Sequence, residues 1–177
     1  MDVIAIAQEL IKFRSETGNT PEILKLMDYI KNLFSGTDAK IDIFREGDKA
    51  PVIFIRNSDE EELDVAVIGH LDVVPASDEM FTAQIDGNRM FGRGTLDMKS
   101  FAAIALNSME HVLKAKLPLK FGVVLSSDEE KGSHGLEAFL KANPQFKAKI
   151  ALDNDVGGDI RKLIVKSKNP VFIKIIS

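Results

Sequence analysis

The chain's 177 residues, 45% hydrophobic and 28% charged, suit one soluble domain with a sizeable core rather than two. A formal net charge of -4 offers no basic footprint for nucleic acid and no polybasic membrane patch, and no apolar run is long enough to span a bilayer. The absence of cysteine excludes disulfides, thiolate zinc sites and a cysteine nucleophile, so any metal must bind His and carboxylates.

In chain order, Val3, Ile6, Ala7, Leu10 and Ile11 recur at helical spacing until SETGNT breaks the pattern. Asp2 and Glu9 stand where a signal peptide carries basic residues, so a reduced cytoplasmic location is the default expectation. Thr20 before Pro21, followed by Ile23, Leu24, Met27, Ile30 and Phe34, predicts a second amphipathic helix. Apolar runs at 41–44, 51–56 and 64–69 read as strands, with the acidic SDEEELD between the last two as a solvated hairpin turn. IDGNRMFGRG predicts another hairpin, because Asn88 and the glycines tolerate positive φ.

Phe101, Ile104, Ala105, Met109 and Val112 mark a helix over 98–114. LKFGVVLSS is a continuous apolar run, the pattern of a strand buried on both faces. A helix near 134–141 follows, then strands at about 148–153, 161–166 and 170–176. Helices alternating with buried strands predict an α/β fold, a three-layer α/β/α sandwich with a mostly parallel sheet. Ligands in such folds bind outside the carboxyl ends of the strands.

Polar clusters stand at those ends. GHLD places His70 and Asp72 after the strand at 64–69, and GRGTLDMK puts Asp97 at the start of the helix at 98–114. SSDEE brings Glu129 and Glu130 to the same rim, and ALDND offers Asp153 and Asp155. So many carboxylates cannot all ionise at close range unless a cation neutralises them. With one imidazole and carboxylates as donors, one or two zinc-like divalent ions are the natural candidates. The glycines of GRGT serve a turn, since the Lys-Ser/Thr ending of a phosphate loop is missing, and no Gly-x-Ser-x-Gly elbow occurs. Glu130 and His134 are four apart, as in a helical metal pair, but Gly132 and Gly135 weaken a helix there. Asp128 suits a helix cap.

Taken in this order, HLDVVP, GRGTLDMK, SDEEKGS and ALD resemble the co-catalytic zinc peptidase family. Its members include glutamate carboxypeptidase, succinyl-diaminopimelate desuccinylase, acetylornithine deacetylase, aminoacylase and carnosinase-like dipeptidases. The resemblance implies that His70 and Asp153 bind one metal, that Asp97 bridges two, and that Glu130 binds the second. It makes Glu129 the general base and Asp72 the group that hydrogen-bonds His70 and fixes its tautomer. Asp155 is the rival to Asp153; the family's ligand follows the apolar strand directly, which favours Asp153. A cis peptide is expected after the bridging residue, at Asp97–Met98. The implied cofactor is Zn2+, with Co2+ or Mn2+ admitted by the same donors. The implied activity is cleavage of an amide next to a carboxylate in a small peptide or N-acyl amino acid.

Enzymes of that family are about twice this length, inserting a dimerising lid domain and returning to supply a late His ligand. Residues 1–168 are accordingly read as a partial catalytic domain, and 169–177 as a last strand resembling the start of the lid. An N-terminal portion of a longer peptidase is expected, with weaker or mononuclear metal binding and little turnover by this chain alone. VFIKIIS is an apolar edge that invites a homodimer or another association. The rival function is a non-catalytic remnant that binds a metal or a partner through that edge.

Overall fold

The computed structural model describes residues 1–155. The strands expected at 161–166 and 170–176, and the segment 169–177, lie outside the described residues. α1 (Val3–Lys12) begins where the Asp2 carboxylate accepts the amides of Ile4 and Ala5, and it buries Ile6, Ala7, Leu10 and Ile11. α2 (Thr20–Leu33) has proline in its first turn and buries Ile23, Leu26, Met27 and Ile30. The remaining elements are β1 (Lys40–Phe44), β2 (Val52–Arg56), β3 (Glu62–His70), β4 (Gln84–Asp86), β5 (Arg89–Phe91), α3 (Ser100–Lys114), β6 (Phe121–Ser126), α4 (His134–Ala142) and β7 (Lys147–Asp153).

Five strands form one sheet in the order β1-β2-β6-β3-β7. The period of two along each strand divides the core between its faces. Ile53, Ile55, Val67, Val123 and Leu125 pack with Leu10, Leu26, Ile30 and Leu106 of the first three helices. Val52, Phe54, Leu63, Ala66 and Val124 pack with Phe139 of α4 on the other side. The three-layer sandwich is therefore present.

The sheet is mixed: β6, β3 and β7 are parallel, whereas β1 and β2 run antiparallel to their neighbours. A short connection joins β1 to β2, and only an antiparallel pair can be closed that way. The hairpin expected between β2 and β3 does not form. β6 lies between them, with Ile53 opposite Leu125 and Val67 opposite Val123. A strand buried along its whole length needs ladder partners on both edges, and β6 finds them by insertion. Asn57 secures the crossing, donating from its side chain to Leu119 O and accepting the Phe121 amide. The second hairpin does form, as β4–β5, with Gly87 alone at positive φ in its turn.

This topology brings three parallel strand ends to one rim. His70 stands beside Ser126 and Ile68 beside Asp153. The segments that leave β3, β6 and β7 thus start from adjacent points.

Candidate metal centre

His70 ends β3 almost wholly enclosed, with 1% of its surface exposed. Its Nδ1 lies 2.9 Å from the Asp72 carbonyl oxygen and 3.3 Å from the Asp72 carboxylate. That side of the ring is a donor, and Nε2 faces the rim, 2.8 Å from Asp97 Oδ1. Burial disfavours the imidazolium, but Asp72 and then Asp97 outweigh it and bring the His70 pKa up to about 9. Burial likewise opposes charge on Asp72, yet its bonds to His70 and Thr17 hold its carboxyl below the ordinary range.

Asp72 has further partners. Its carboxylate accepts the Thr17 hydroxyl at 2.8 Å and the backbone amides of Glu129 and Glu130 at 3.1 and 3.3 Å. One buried carboxylate therefore orients His70 and also fixes the start of the loop carrying both glutamates. The spacing His-x-Asp announces the first task, while nothing in the sequence announces the second or singles out Thr17.

Asp97 reaches the rim from a distorted turn, Thr95–Lys99, that leads into α3. Its peptide bond to Met98 is cis, as the family resemblance implied. Gly94 opens the turn at φ +83°, and a Cβ there would stand 2.9 Å from Lys99 Cδ and 3.0 Å from Val73 Cγ1. Only glycine accommodates both the left-handed backbone and that crowding. The Asp97 carboxylate itself is half-exposed.

His70, Asp97 and Asp155 each offer one ligand atom, and these atoms lie within 4.8 Å of one another. Asp153, favoured from the sequence, is not in this group. Its carboxylate instead accepts the Asp155 amide at 3.0 Å. The strand register accounts for where the two carboxylates stand. Asp153 lies beside Ile68, so the position two further along comes level with His70.

Glu129 Oε2 lies 4.0 Å from His70 Nε2. Burial pushes the carboxyls of Glu129, Glu130 and Asp155 up; His70 pulls against this, while neighbouring carboxylates add to it, Asp97 foremost for Glu130 and Asp155. His134 is exposed at the start of α4, 3.9 Å from Glu137, and does not join the cluster. Asp128 serves the start of α4, where its carboxylate accepts the Gly135 amide. A buried imidazole with one nitrogen already fixed, facing carboxylates short of positive charge, fits a divalent cation.

A family model described as Peptidase family M20/M25/M40 matches residues 66–166, a span that holds every residue of this cluster. The chain belongs to that family. Succinyl-diaminopimelate desuccinylase of Wolinella succinogenes is 31% identical over 132 residues, covering 72% of this chain and 34% of that protein. The N-fatty-acyl-amino acid synthase/hydrolase PM20D1 of Xenopus tropicalis is 29% identical over 163 residues, covering 86% of this chain and 32% of that protein. The chain thus spans about a third of the length of these curated relatives. Among solved structures, an M20 family metallo-carboxypeptidase from Sulfolobus solfataricus superposes with a TM-score of 0.72 at 24% identity, over 91% of this chain and 39% of that one. Human carnosine dipeptidase 1 gives 0.71 at 17% identity, over 86% and 38%. Both likenesses concern the fold. No helix among the described residues is long and apolar enough to cross a membrane.

Proposed function

We propose that this M20 chain forms the ion-holding part of a metal-dependent hydrolase that cleaves an amide bond in a small peptide or N-acyl amino acid. The observation that carries the reading is the convergence of His70, Asp97 and Asp155 on one point, with Glu129 beside them. His70, Asp97 and Asp155 would hold a divalent ion, zinc being the natural choice for these donors, and Glu130 would serve a second ion next to Asp97. Such an ion, when bound, supplies Lewis acidity that makes water acidic near neutral pH and polarises the amide carbonyl.

The chain's own groups divide the remaining work. Glu129 takes a proton from the attacking water as the new carbon–oxygen bond forms at the amide carbon. It then passes that proton to the nitrogen as the carbon–nitrogen bond breaks, leaving a carboxylic acid and an amine, and the acid's proton moves on to give a carboxylate and an ammonium. A carboxyl raised by burial suits both halves of this transfer. Asp72 keeps the proton of His70 on Nδ1, so that Nε2 presents a lone pair to the ion. The names of the two curated relatives, a desuccinylase and a fatty-acyl-amino acid hydrolase, support an acyl–nitrogen bond as the target.

The test is hydrolysis of a panel of dipeptides and N-acyl amino acids by the zinc-loaded chain, beside calorimetric zinc titration. Glu129→Ala should lower turnover at least a hundredfold while zinc affinity stays within about threefold. Loss of zinc in that variant would make Glu129 a ligand and overturn its assignment as the base.

A further inference from the structure

Lys99 is the largest fully buried side chain among the described residues, with 0% exposure. Burying a lysine is costly unless its ammonium finds acceptors. Here Nζ donates to two main-chain carbonyls, Leu10 O at 3.0 Å and Phe13 O at 2.7 Å. Leu10 is in the last turn of α1, its carbonyl shared with the Phe13 amide, and Phe13 caps the helix, so Nζ sits where the helix dipole favours a cation. The burial still tells on the ammonium, whose pKa is drawn down to about 7.

The rest of the side chain is equally constrained. Its stem fills the space that a Cβ on Gly94 would need, and its amide donates to Gly94 O at 2.7 Å. The glycine turn and the lysine therefore interlock around the four residues between them, Thr95 to Met98, which include Asp97. The chain leaving α1 is also tied to the segment after His70. Ser15 accepts the Val73 amide, the Ser15 hydroxyl donates to Leu71 O, and Thr17 donates to Asp72. One short stretch, residues 13–17, thus supports His70 through Asp72 and supports Asp97 through Lys99.

We propose that Lys99 is a positioning residue: by anchoring the Thr95–Lys99 turn to the end of α1, it holds the Asp97 carboxylate in register with His70 Nε2. This rests on the reading above, in which His70, Asp97 and Asp155 hold the ion. Lys99 does not touch the ion or the reacting atoms. Its removal should act on the geometry of Asp97 and hence on metal affinity, the usual consequence of losing a group that orients a ligand.

The experiment compares wild type, Lys99→Met and Leu26→Ala by zinc calorimetry and by the visible absorption of bound Co2+. Methionine keeps the length of the stem and removes the donor. Leu26, on α2, is as deeply buried but forms no part of the site. Lys99→Met should bind zinc about 10- to 100-fold more weakly and shift the Co2+ bands, while Leu26→Ala lowers the melting temperature and keeps affinity within threefold. Unchanged affinity in Lys99→Met, or equal weakening in both variants, overturns the inference and leaves the metal reading standing. A wild-type chain that binds neither ion overturns both. If Lys99→Met fails to fold, hydrogen exchange on wild type decides. Zinc should slow the amides of 10–14 and 94–99 by a common factor larger than that for α2, and an unaffected 10–14 would contradict the anchor.

Discussion

β6 and β7 flank β3 in the same direction and both carry apolar runs, yet they live in different surroundings. All six residues of β6 are buried, whereas Ile150 and Leu152 of β7 are 54% and 43% exposed. β7 carries Lys147, Lys149 and Asp153 where β6 has no charged residue, and cover differs with composition. β6 has ladder partners on both edges and helices on both faces, while β7 is the edge strand among the described residues. The candidate metal centre straddles this divide. His70 and Asp72 come from the covered side and are set by pairing within the protein. Asp155 leaves the open side, exposed, and is set by the register of β7 and by Asp153.

If the covered side is where the site is built, its polar hub should show the largest effect. Asp72→Ala removes the buried carboxylate that favours the His70 imidazolium and leaves the Thr17 hydroxyl and two amides without their acceptor, and should cost about 3–5 kcal/mol in urea denaturation. A loss under 1 kcal/mol would mean that the loop of Glu129 and Glu130 is held by something else. Leu125→Ala, wholly buried on β6, should cost about 2–5 kcal/mol by the same measurement.

Next comes a pH effect confined to the covered side. The folded pKa of His70 is raised to about 9, against 6.5 for the free side chain. Its stabilisation is therefore fully present below pH 6.5 and is lost as pH rises through 9. In metal-free buffer, the stability difference between wild type and His70→Gln should shrink by roughly 2–3 kcal/mol from pH 6 to pH 10. Taking the difference cancels Lys99, whose depressed pKa acts with the opposite sign over pH 7 to 10.5. A flat difference would show that Asp72 and Asp97 do not favour the cation. The smallest effect belongs to β7: Ile150→Ala should cost less than about 1 kcal/mol, and a cost equal to that of Leu125→Ala would erase the contrast between the strands.

The sequence exposes the covered side better than the open one. Continuous apolar runs mark β3 and β6, and the polar residues that interrupt them, His70, Asp72 and Glu129–Glu130, stand out for that reason. The order of strands is less legible. Reading consecutive apolar runs as a hairpin misplaces β3, because only the pairing demand of β6 opens the gap between β2 and β3. Asp153 and Asp155 look alike in one dimension, and their difference appears only when β7 is set in register against β3. Lys99 looks like any charged residue of a turn until its two carbonyl acceptors, distant in sequence, are placed around it.

The most direct test is therefore zinc titration of wild type, Asp155→Asn and Asp153→Asn by calorimetry at neutral pH. An ion held by His70, Asp97 and Asp155 predicts zinc binding by wild type, at least tenfold weaker binding by Asp155→Asn, and Asp153→Asn within about threefold of wild type. No binding by wild type, or a loss confined to Asp153→Asn, would contradict it.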